Sequence, residues 1–270
     1  MIISNLTGGL GNQMFQYALG RHLAIKNKTE LKLHFTNALF CTPRTFSLDC
    51  FNIQAEIATD GDLKKLGVVK NRIINRLLYL IDERYGIQFN KHIITQRYPY
   101  TFNSDYLNIK DNSYIQGYWA DERYFKSAEN IIRKEFTPKE KLDEKNQKIL
   151  KQIQSTMSVS IHVRRGDYIT NKTNILKFIG LDYYVTAINN IKKSISNPVF
   201  FVFSDDIPWC KKNLDQLSNN ICYINHNTGK NSYKDLVLMN ACKQNIIANS
   251  SFSWWSGWLN INSNKIIVKP

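Results

Sequence analysis

The chain has 270 residues, of which 43% are hydrophobic, 12% aromatic and 21% charged, a composition that builds an ordinary buried core. This excludes fibrous, collagen-like and wholly disordered classes and indicates one or two domains. The 36 basic and 22 acidic residues give a net charge of +14, which favours anionic partners, although a solvated lysine-rich surface explains it equally well.

The sequence also predicts the compartment. The longest uncharged run, between Lys243 and Lys265, is interrupted too often by Asn and Ser to span a membrane. The first residues lack the basic start and the apolar stretch of a signal peptide. The five cysteines are widely spaced without a C-x-x-C pair, which indicates reduced thiols. We therefore expect a cytoplasmic protein without a cysteine zinc site or a disulfide framework.

The first 35 residues predict a β-loop-α-β unit. An apolar strand from Ile2 to Leu6 leads into a glycine-rich turn, and a helix with apolar residues mostly at helical spacing ends near Asn27. A second strand, residues 30–35, has apolar side chains at alternate positions. This order predicts a parallel sheet at the N-terminus.

Residues 36–150 carry weaker patterns. They predict helices at 62–66, 69–81 and 121–134 and a strand at 113–117. The charged run from Lys139 to Lys151 is either a surface helix or a connection between domains. We expect a domain boundary near residue 150, which gives domains at 1–150 and 151–270.

The second half of the chain alternates strands with helices, which predicts a doubly wound parallel sheet. The predicted strands are residues 159–163, 198–203, 221–224, 245–248 and 265–268. The predicted helices are residues 182–195, 207–217, 233–242 and 251–259.

Four polar clusters follow predicted strands directly. They are Gly8–Gln13, His162–Asp167, Ser204–Asp206 and Asn249–Ser253. Ligands of open α/β sheets bind beyond the carboxyl ends of the strands, so four clusters in this position indicate a single crevice.

The glycine-rich turn is compatible with phosphate binding. Gly8, Gly9 and Gly11 allow close backbone approach, and the following helix directs N–H groups at the turn. It is not a dinucleotide fingerprint, because Met14 stands where the third glycine belongs, and no P-loop lysine follows. A tight strand-to-helix turn without a ligand is an equal alternative.

The second cluster points to an anion. His162 and Arg164 share one face of a strand end, and Arg165 and Asp167 follow on the turn. Guanidinium groups bind pyrophosphate oxygens in a bidentate manner and stabilise charge on a departing phosphate, while Asp167 is placed to orient an arginine. The alternative is an Arg–Asp bridge within the chain.

The remaining clusters leave two interpretations each. Asp205 and Asp206 either bind ribose or a base edge or cap the next helix, and adjacent acids do not make an Asp-x-Asp metal motif. The serines at 250 and 251 are placed to bind phosphate, and the nearby tryptophans either stack a sugar or base or pack in the core. Upstream, Asp235 either faces the crevice or is solvated.

Three motifs carry a resemblance to a known family. The segments Gly8–Tyr17 (GGLGNQMFQY), His162–Tyr168 (HVRRGDY) and Asn249–Trp255 (NSSFSWW) resemble, in sequence, order and spacing, motifs of the bacterial α-1,2-fucosyltransferases of glycosyltransferase family 11. The central motif is shared with α-1,6- and protein O-fucosyltransferases, so alone it indicates GDP-fucose use. The resemblance covers nearly the whole chain.

The resemblance implies a GT-B-like fold with an N-terminal acceptor-side domain and a C-terminal donor-binding domain. It implies inverting transfer of L-fucose from GDP-β-L-fucose to the 2-hydroxyl of a terminal galactoside, without a cofactor or an obligatory metal. The implied catalytic residues are Arg164, which would hold the β-phosphate, and Asn12, which would face the reacting centre. The implied donor-binding residues are Gly9, Gly11, His162, Arg165, Asp167, Asp205, Asp206, Ser250, Ser251 and Phe252.

The expected acceptor is a galactose-terminated oligosaccharide in bacterial surface polysaccharide (O-antigen) synthesis. A lipid-linked acceptor would bring the basic protein into peripheral contact with anionic lipid at the inner face of the bacterial inner membrane. Asp121 and Glu122 are candidate general bases, with exposed helix-start acids as the alternative. The rival functions are a fucosyltransferase of another linkage, a nucleic-acid-binding protein and a non-catalytic sugar-binding module; we expect no nucleic-acid partner.

Overall fold

The computed structural model describes residues 1–35, 45–69, 72–86, 89–99, 101–166, 169 and 178–270. The chain forms two compact units, Met1–Lys139 and Glu140–Pro270. The division lies earlier than the boundary expected near residue 150, because the charged run contributes a helix, Glu144–Ser155, to the second unit. Its fully buried Asn146 exchanges two side-chain hydrogen bonds of 2.9 Å with Asn227.

The first unit contains a five-stranded parallel sheet. Its strands are β1 (Ile2–Leu6), β2 (Leu31–Phe35), β3 (Glu56–Ile57), β4 (Ile93–Thr95) and β5 (Ser113–Gln116), in the order β3-β2-β1-β5-β4. Each pair of neighbours is parallel. The predicted N-terminal parallel sheet is confirmed. β3 and β4 are not predicted from the sequence, because strands of two and three residues are too short to show alternation.

The helices of the first unit are α1 (Leu10–Asn27), α2 (Asp60–Lys65), α3 (Arg72–Tyr85) and α4 (Glu129–Glu135). Helix α1 packs directly on the sheet, since a Cβ at Gly20 would lie 2.8 Å from Leu31 Cδ1 and 3.1 Å from Ser4 Cβ. The single helix predicted at 121–134 is wrong in part: 3₁₀ turns at Glu122–Tyr124 and Lys126–Ala128 precede α4.

The second unit contains another five-stranded parallel sheet. Its strands are β6 (Met157–Val163), β7 (Pro198–Ser204), β8 (Ile221–Ile224), β9 (Gln244–Ile246) and β10 (Ile267–Val268), in the order β8-β7-β6-β9-β10. All neighbouring strands are parallel, so the predicted doubly wound sheet is confirmed. The chain order reverses between β6 and β9, and a fold of this type binds its ligand at that point.

The helices of the second unit cover both faces of its sheet. They are α5 (Glu144–Ser155), α6 (Leu181–Ser194), α7 (Ile207–Leu214), α8 (Tyr233–Ala241) and α9 (Ser251–Leu259). Val159, Ile161 and Val163 of β6 pack in one cluster with residues of α6 and α7. The opposite face connects to α8, because Asn245 donates hydrogen bonds to Ser160 Oγ (2.7 Å) and Met239 O (2.9 Å). None of the described helices combines the length and apolarity needed to cross a bilayer.

Candidate functional site

The carboxyl ends of β6 and β9 lie side by side at the switch point of the second unit. His162, near the end of β6, faces Phe252, in the first turn of α9, with ring centroids 5.7 Å apart. His162 is 7% exposed, and among the described residues its Nδ1 has no hydrogen-bond partner. Burial, reinforced by the charge of Arg164, lowers its pKa to about 4. The imidazole is therefore neutral near pH 7, and its buried Nδ1 has a hydrogen bond to satisfy.

Two arginines after β6 pair with two aspartates after β7. Arg164 Nη1 lies 3.0 Å from Asp205 Oδ2, and Arg165 Nη1 forms an ion pair with Asp206 Oδ2. The backbone N–H of Arg165 also donates to Asp205 Oδ1 at 2.9 Å. The predicted Arg–Asp bridge therefore exists, but its acids come from the third cluster. Asp167, predicted to orient an arginine, lies outside the described residues.

Two aromatic rings hold Arg165 in addition to its ion pair with Asp206. Its guanidinium carbon lies 5.1 Å from the ring centroid of Trp209 and 5.6 Å from that of Phe178. Cation–π contacts of this kind fix the plane of a guanidinium group. Arg165 is thus a fixed positive charge next to Arg164 at the end of β6.

Asp206 also caps a helix, as one of its two interpretations predicted. Its Oδ1 accepts a hydrogen bond from Trp209 N at 3.1 Å, and its own N–H donates to Ser204 Oγ at 2.9 Å. A Cβ at Gly166 would lie 3.0 Å from Asp205 Oδ2, so glycine at this position allows the close approach of Asp205. Capping and ion pairing together fix both carboxylates.

The N-terminus of α9 lies on the other side of the site from the residues that follow β6 and β7. Ser250 is its N-cap residue and makes no capping hydrogen bond through its side chain. Ser253 Oγ accepts a hydrogen bond from the backbone N–H of Ala248 at 2.9 Å. The first-turn N–H groups of a nine-residue helix favour a negative group here. Behind them, Trp255 and Trp258 are buried, with ring centroids 5.1 Å apart, so core packing is the confirmed interpretation for these two tryptophans.

The glycine-rich motif of the first unit lies at the carboxyl end of β1. Gly8 has φ +75°, and Gly9, the N-cap of α1, has an extended conformation with open space where a Cβ would be. Gly11 is buried in the first turn of α1, and Asn12 is half-buried beside it. The turn therefore has the strand-to-helix geometry that the sequence predicted.

Two glutamines of this motif hold the surrounding loops, a role that the sequence analysis missed. Gln16 accepts from Thr7 N at 2.9 Å and donates to Thr7 Oγ1 at 3.1 Å and to Gly117 O at 2.9 Å. Gln13 donates to the carbonyls of Gly8 and Thr45, both at 2.9 Å, and accepts from Ser47 N. Both side chains are fully buried. The signal in the sequence was two amides among the core positions of the helix.

A third glutamine fixes the turn after β5. Gln96 Oε1 accepts from Tyr118 N at 2.8 Å and from Trp119 N at 2.9 Å, and Trp119 has φ +54°. This turn leads to Asp121, whose carboxylate caps the next 3₁₀ turn and pairs with Arg123. The hydrogen bond from Arg123 lowers the pKa of Asp121. Asp121 is therefore a helix-start acid, as the alternative interpretation predicted, and its role as a general base stays a prediction.

The comparison with protein families decides the class of the chain. The family model described as Glycosyl transferase family 11 matches residues 1–270. The chain belongs to glycosyltransferase family 11. The resemblance carried by the three motifs is confirmed, and the family 11 chain is an enzyme of the glycosyltransferase class.

Relatives of the family 11 chain are known in bacteria and animals. It is 36% identical to an α-1,2-colitosyltransferase of Escherichia coli, covering 100% of this chain and 91% of the relative. It is 35% identical to the O-antigen biosynthesis glycosyltransferase WbnK of Escherichia coli, covering 99% and 93%. Human galactoside α-(1,2)-fucosyltransferase 1 is 26% identical over 58% of this chain and 46% of the human protein.

Solved structures confirm the fold. The NodZ α-1,6-fucosyltransferase soaked with GDP-fucose superimposes with a TM-score of 0.58, covering 96% of this chain and 91% of NodZ. NodZ comes from Bradyrhizobium. The sequence identity is 13%, so the likeness concerns the fold alone. With two parallel α/β sheets in the family 11 chain, the GT-B-like fold expected from the resemblance is confirmed.

A polar network beside α8 contains one carboxyl group whose pKa is raised. Asn227 donates a hydrogen bond of 2.7 Å to Asp235 Oδ1, and Asn227 is itself held by Asn146. Burial raises the pKa of Asp235 to about 7. The alternative of a solvated Asp235 is therefore wrong. Among the described residues, no group of three or more His, Cys, Asp or Glu side chains is placed to hold a metal ion, and metal independence stays a prediction.

Asp235 makes stability depend on pH in a defined direction. Its folded-state pKa of about 7 lies above its ordinary value of 3.8, so between these values the folded chain binds a proton that the unfolded chain releases. This contribution to the free energy of unfolding is present below pH 4 and is lost as the pH rises to 7. We expect Asp235→Asn to remove that loss. In urea denaturation, the free energy of unfolding of the variant should therefore rise relative to that of wild type as the pH rises from 4 to 7. Asp182→Asn, at an exposed site in the same unit, should differ from wild type by about 0.5 kcal/mol or less throughout.

Gln16→Met should destabilise the first unit strongly. The substitution keeps the length of the side chain but leaves the buried Thr7 N–H and the Gly117 carbonyl without partners, at about 1–3 kcal/mol each. Urea denaturation should show a loss of about 2–4 kcal/mol. The matched control is Gln54→Met at an exposed position, expected to change stability by about 0.5 kcal/mol or less. Equal effects of both substitutions would contradict the role assigned to Gln16.

Proposed function

We propose that the chain transfers L-fucose from GDP-β-L-fucose to the 2-hydroxyl of a terminal galactoside, with inversion at the anomeric carbon. Family 11 membership and the relatives named for α-1,2 transfer support the reaction class. The observation that carries the donor assignment is the placement of Arg164, Arg165, His162 and the α9 N-terminus around one switch point.

The diphosphate of the donor would bind between Arg164 and the N-terminus of α9. A guanidinium group presents five donors in a fixed fork and binds phosphate oxygens in a bidentate manner. Arg164 is paired through Nη1 to Asp205, which orients it from one side. Ser250 and Ser251 would contribute backbone and hydroxyl groups from the opposite wall. Arg165, held by Asp206 and two rings, adds positive charge behind Arg164.

The nucleoside of the donor would lie beside His162 and Phe252. The neutral imidazole has a buried nitrogen to satisfy, and a hydrogen bond with ribose or guanine would do this. Asp205 or Asp206 would accept hydrogen bonds from a ribose hydroxyl or a base N–H group. Asp167 would support Arg164, as the family motif implies. In the first unit we retain Gly9 and Gly11 as proposed donor-binding residues and Asn12 as the proposed catalytic residue that faces the reacting centre.

The chemistry needs one displacement. The acceptor hydroxyl oxygen forms a bond to the anomeric carbon on one face while the bond to the β-phosphate oxygen breaks on the other. The electron pair of the broken bond stays on GDP, so negative charge develops on the phosphate beside Arg164. Preorganised cations at this position lower the barrier. The proton of the acceptor hydroxyl passes to solvent water.

The acceptor is proposed to be a galactose-terminated oligosaccharide of O-antigen synthesis. The Escherichia coli relative WbnK is named for O-antigen biosynthesis, which supports this substrate class. A lipid-linked acceptor would place the enzyme in the bacterial cytoplasm, at the inner face of the inner membrane. Family membership explains the strand-end motifs, which a nucleic-acid-binding role leaves without a purpose.

Product analysis tests the proposal. The chain is incubated with GDP-β-L-fucose and a terminal β-galactoside, and the product is examined by NMR. We expect an α-linked fucose on the galactose 2-oxygen and release of GDP. The matched control acceptor, a 2-deoxygalactoside, should not react. Because one relative is named a colitosyltransferase, GDP-colitose is assayed alongside. Transfer of colitose alone, or fucosylation at another hydroxyl, would contradict the proposal.

A further inference from the structure

The helix α3 exposes a stripe of apolar side chains to solvent. Ile74, Leu77, Leu80 and Tyr85 are 44%, 56%, 46% and 66% exposed. At about 100° per residue, these positions fall within an arc of roughly 140° on one face of the helix. An exposed Leu or Ile is ordinary when it stands alone, but a stripe along one helix is a candidate contact surface.

Two further exposed aromatic residues follow α3 in the chain. Phe89 is 59% exposed and Tyr98 74% exposed. Arg97 donates a hydrogen bond of 3.2 Å to Gly86 O, which brings residues 97–98 to the C-terminal end of α3. We define the α3 patch as Ile74, Leu77, Leu80, Tyr85, Phe89 and Tyr98. Among the described residues, fourteen large hydrophobic side chains are exposed, and six of them lie in this 25-residue segment.

The segment of the sequence that contains the α3 patch is positively charged. Residues 64–98 contain eight Lys or Arg and two Asp or Glu, so 8 minus 2 gives +6 of the net +14 of the whole chain. Arg84, Lys91 and Arg97 are exposed within this segment. Protein interfaces are depleted in lysine at their centres, whereas apolar residues mixed with Arg, Lys and Tyr are typical of helices that lie in a membrane interface.

We propose that the α3 patch docks the protein onto an anionic lipid bilayer. Leu77 and Leu80 would insert at the boundary between headgroups and acyl chains. Tyr85 and Tyr98 would lie at headgroup level, and Arg84, Lys91 and Arg97 would pair with lipid phosphates. The docking itself does not depend on the proposed function. Only its purpose, which is to hold the enzyme where a lipid-linked acceptor is found, rests on that function.

Vesicle flotation tests the docking surface. Purified full-length protein is mixed with vesicles of phosphatidylcholine and phosphatidylglycerol, and with vesicles of phosphatidylcholine alone. We expect binding to the anionic vesicles at low salt that falls as salt rises. Leu77→Glu with Leu80→Glu should lower the partition coefficient at least about tenfold, because buried apolar area is lost and negative charge is added. Arg84→Gln with Lys91→Gln should lower it about tenfold on anionic vesicles.

The control variant is Ile261→Glu, at an 87% exposed apolar residue of the second unit, which should bind vesicles like wild type. Equal binding by the Leu77/Leu80 variant and wild type, or no binding of wild type to anionic vesicles, would overturn the proposal. Self-association in sedimentation velocity that is abolished by the same variant would also overturn it, in favour of a second copy of the chain. All variants are assayed with a water-soluble galactoside and GDP-fucose. Loss of wild-type transfer there would count against the proposed function alone.

Discussion

Replacing Arg164 by alanine is expected to lower kcat by about a thousandfold. The guanidinium group lies at the switch point beside the α9 N-terminus, where the charge on departing GDP would develop. Removal of a single preorganised donor from such a site costs about 10²–10³ in kcat, and an arginine that stabilises a phosphoryl transition state is worth more. Steady-state kinetics with GDP-fucose and a soluble galactoside measure the effect.

Two variants separate this role from general effects of charge. Arg164→Lys keeps the positive charge but loses the planar fork, so its kcat should lie between those of wild type and the alanine variant. Arg123→Ala, at an exposed and ion-paired arginine of the first unit, should change kcat by about twofold or less. The account fails if Arg164→Ala keeps kcat within tenfold of wild type while folding normally.

Trp255→Ala should cost about 3–5 kcal/mol of stability, the usual loss for a large buried aromatic side chain. Trp255 is fully buried and meets Trp254 and Trp258 edge-to-face, with centroids 5.0 Å and 5.1 Å away. These rings support the helix that presents Ser250 and Ser251. Urea denaturation of the variant measures the loss.

The neighbouring tryptophan is the matched control for this substitution. Trp254 is half-buried in the same helix, so Trp254→Ala should be clearly less destabilising than Trp255→Ala. A cost below about 1 kcal/mol for Trp255→Ala would show that the tryptophans are not core residues. They would then be free to stack a ligand.

Sequence patterns predicted the central strands of the second unit well, because β6 and β7 are seven residues long and largely apolar. β6 alternates apolar and small polar residues, and β7 is a continuous apolar run, so both showed clear periodicity. The first unit was harder to predict. β3 and β4 have too few residues to show a period, and the segment before α4 winds into 3₁₀ turns that share the apolar spacing of a helix.

The sequence also could not predict how side chains pair in the candidate site. Motifs placed the polar clusters at strand ends, but they did not predict which side chains pair. The pairs depend on the register of β6 and β7, in which Val163 lies opposite Ser204. This register brings Arg164 and Arg165 next to Asp205 and Asp206, some 40 residues away in the chain. Without register information the sequence offers only the near neighbour Asp167, which lies outside the described residues.

The most direct test of the account is thermal unfolding with a panel of GDP, GDP-fucose, UDP, CMP and NAD. A ligand at about 100 times its Kd stabilises the folded state by about 2.7 kcal/mol. At roughly 2–4 °C per kcal/mol for a chain of this size, the rise in Tm is readily measured. The account predicts a rise with GDP and GDP-fucose only, abolished in Arg164→Ala. No rise with either guanine nucleotide, or an equal rise with UDP, would contradict a GDP-fucose site at the switch point of the second unit.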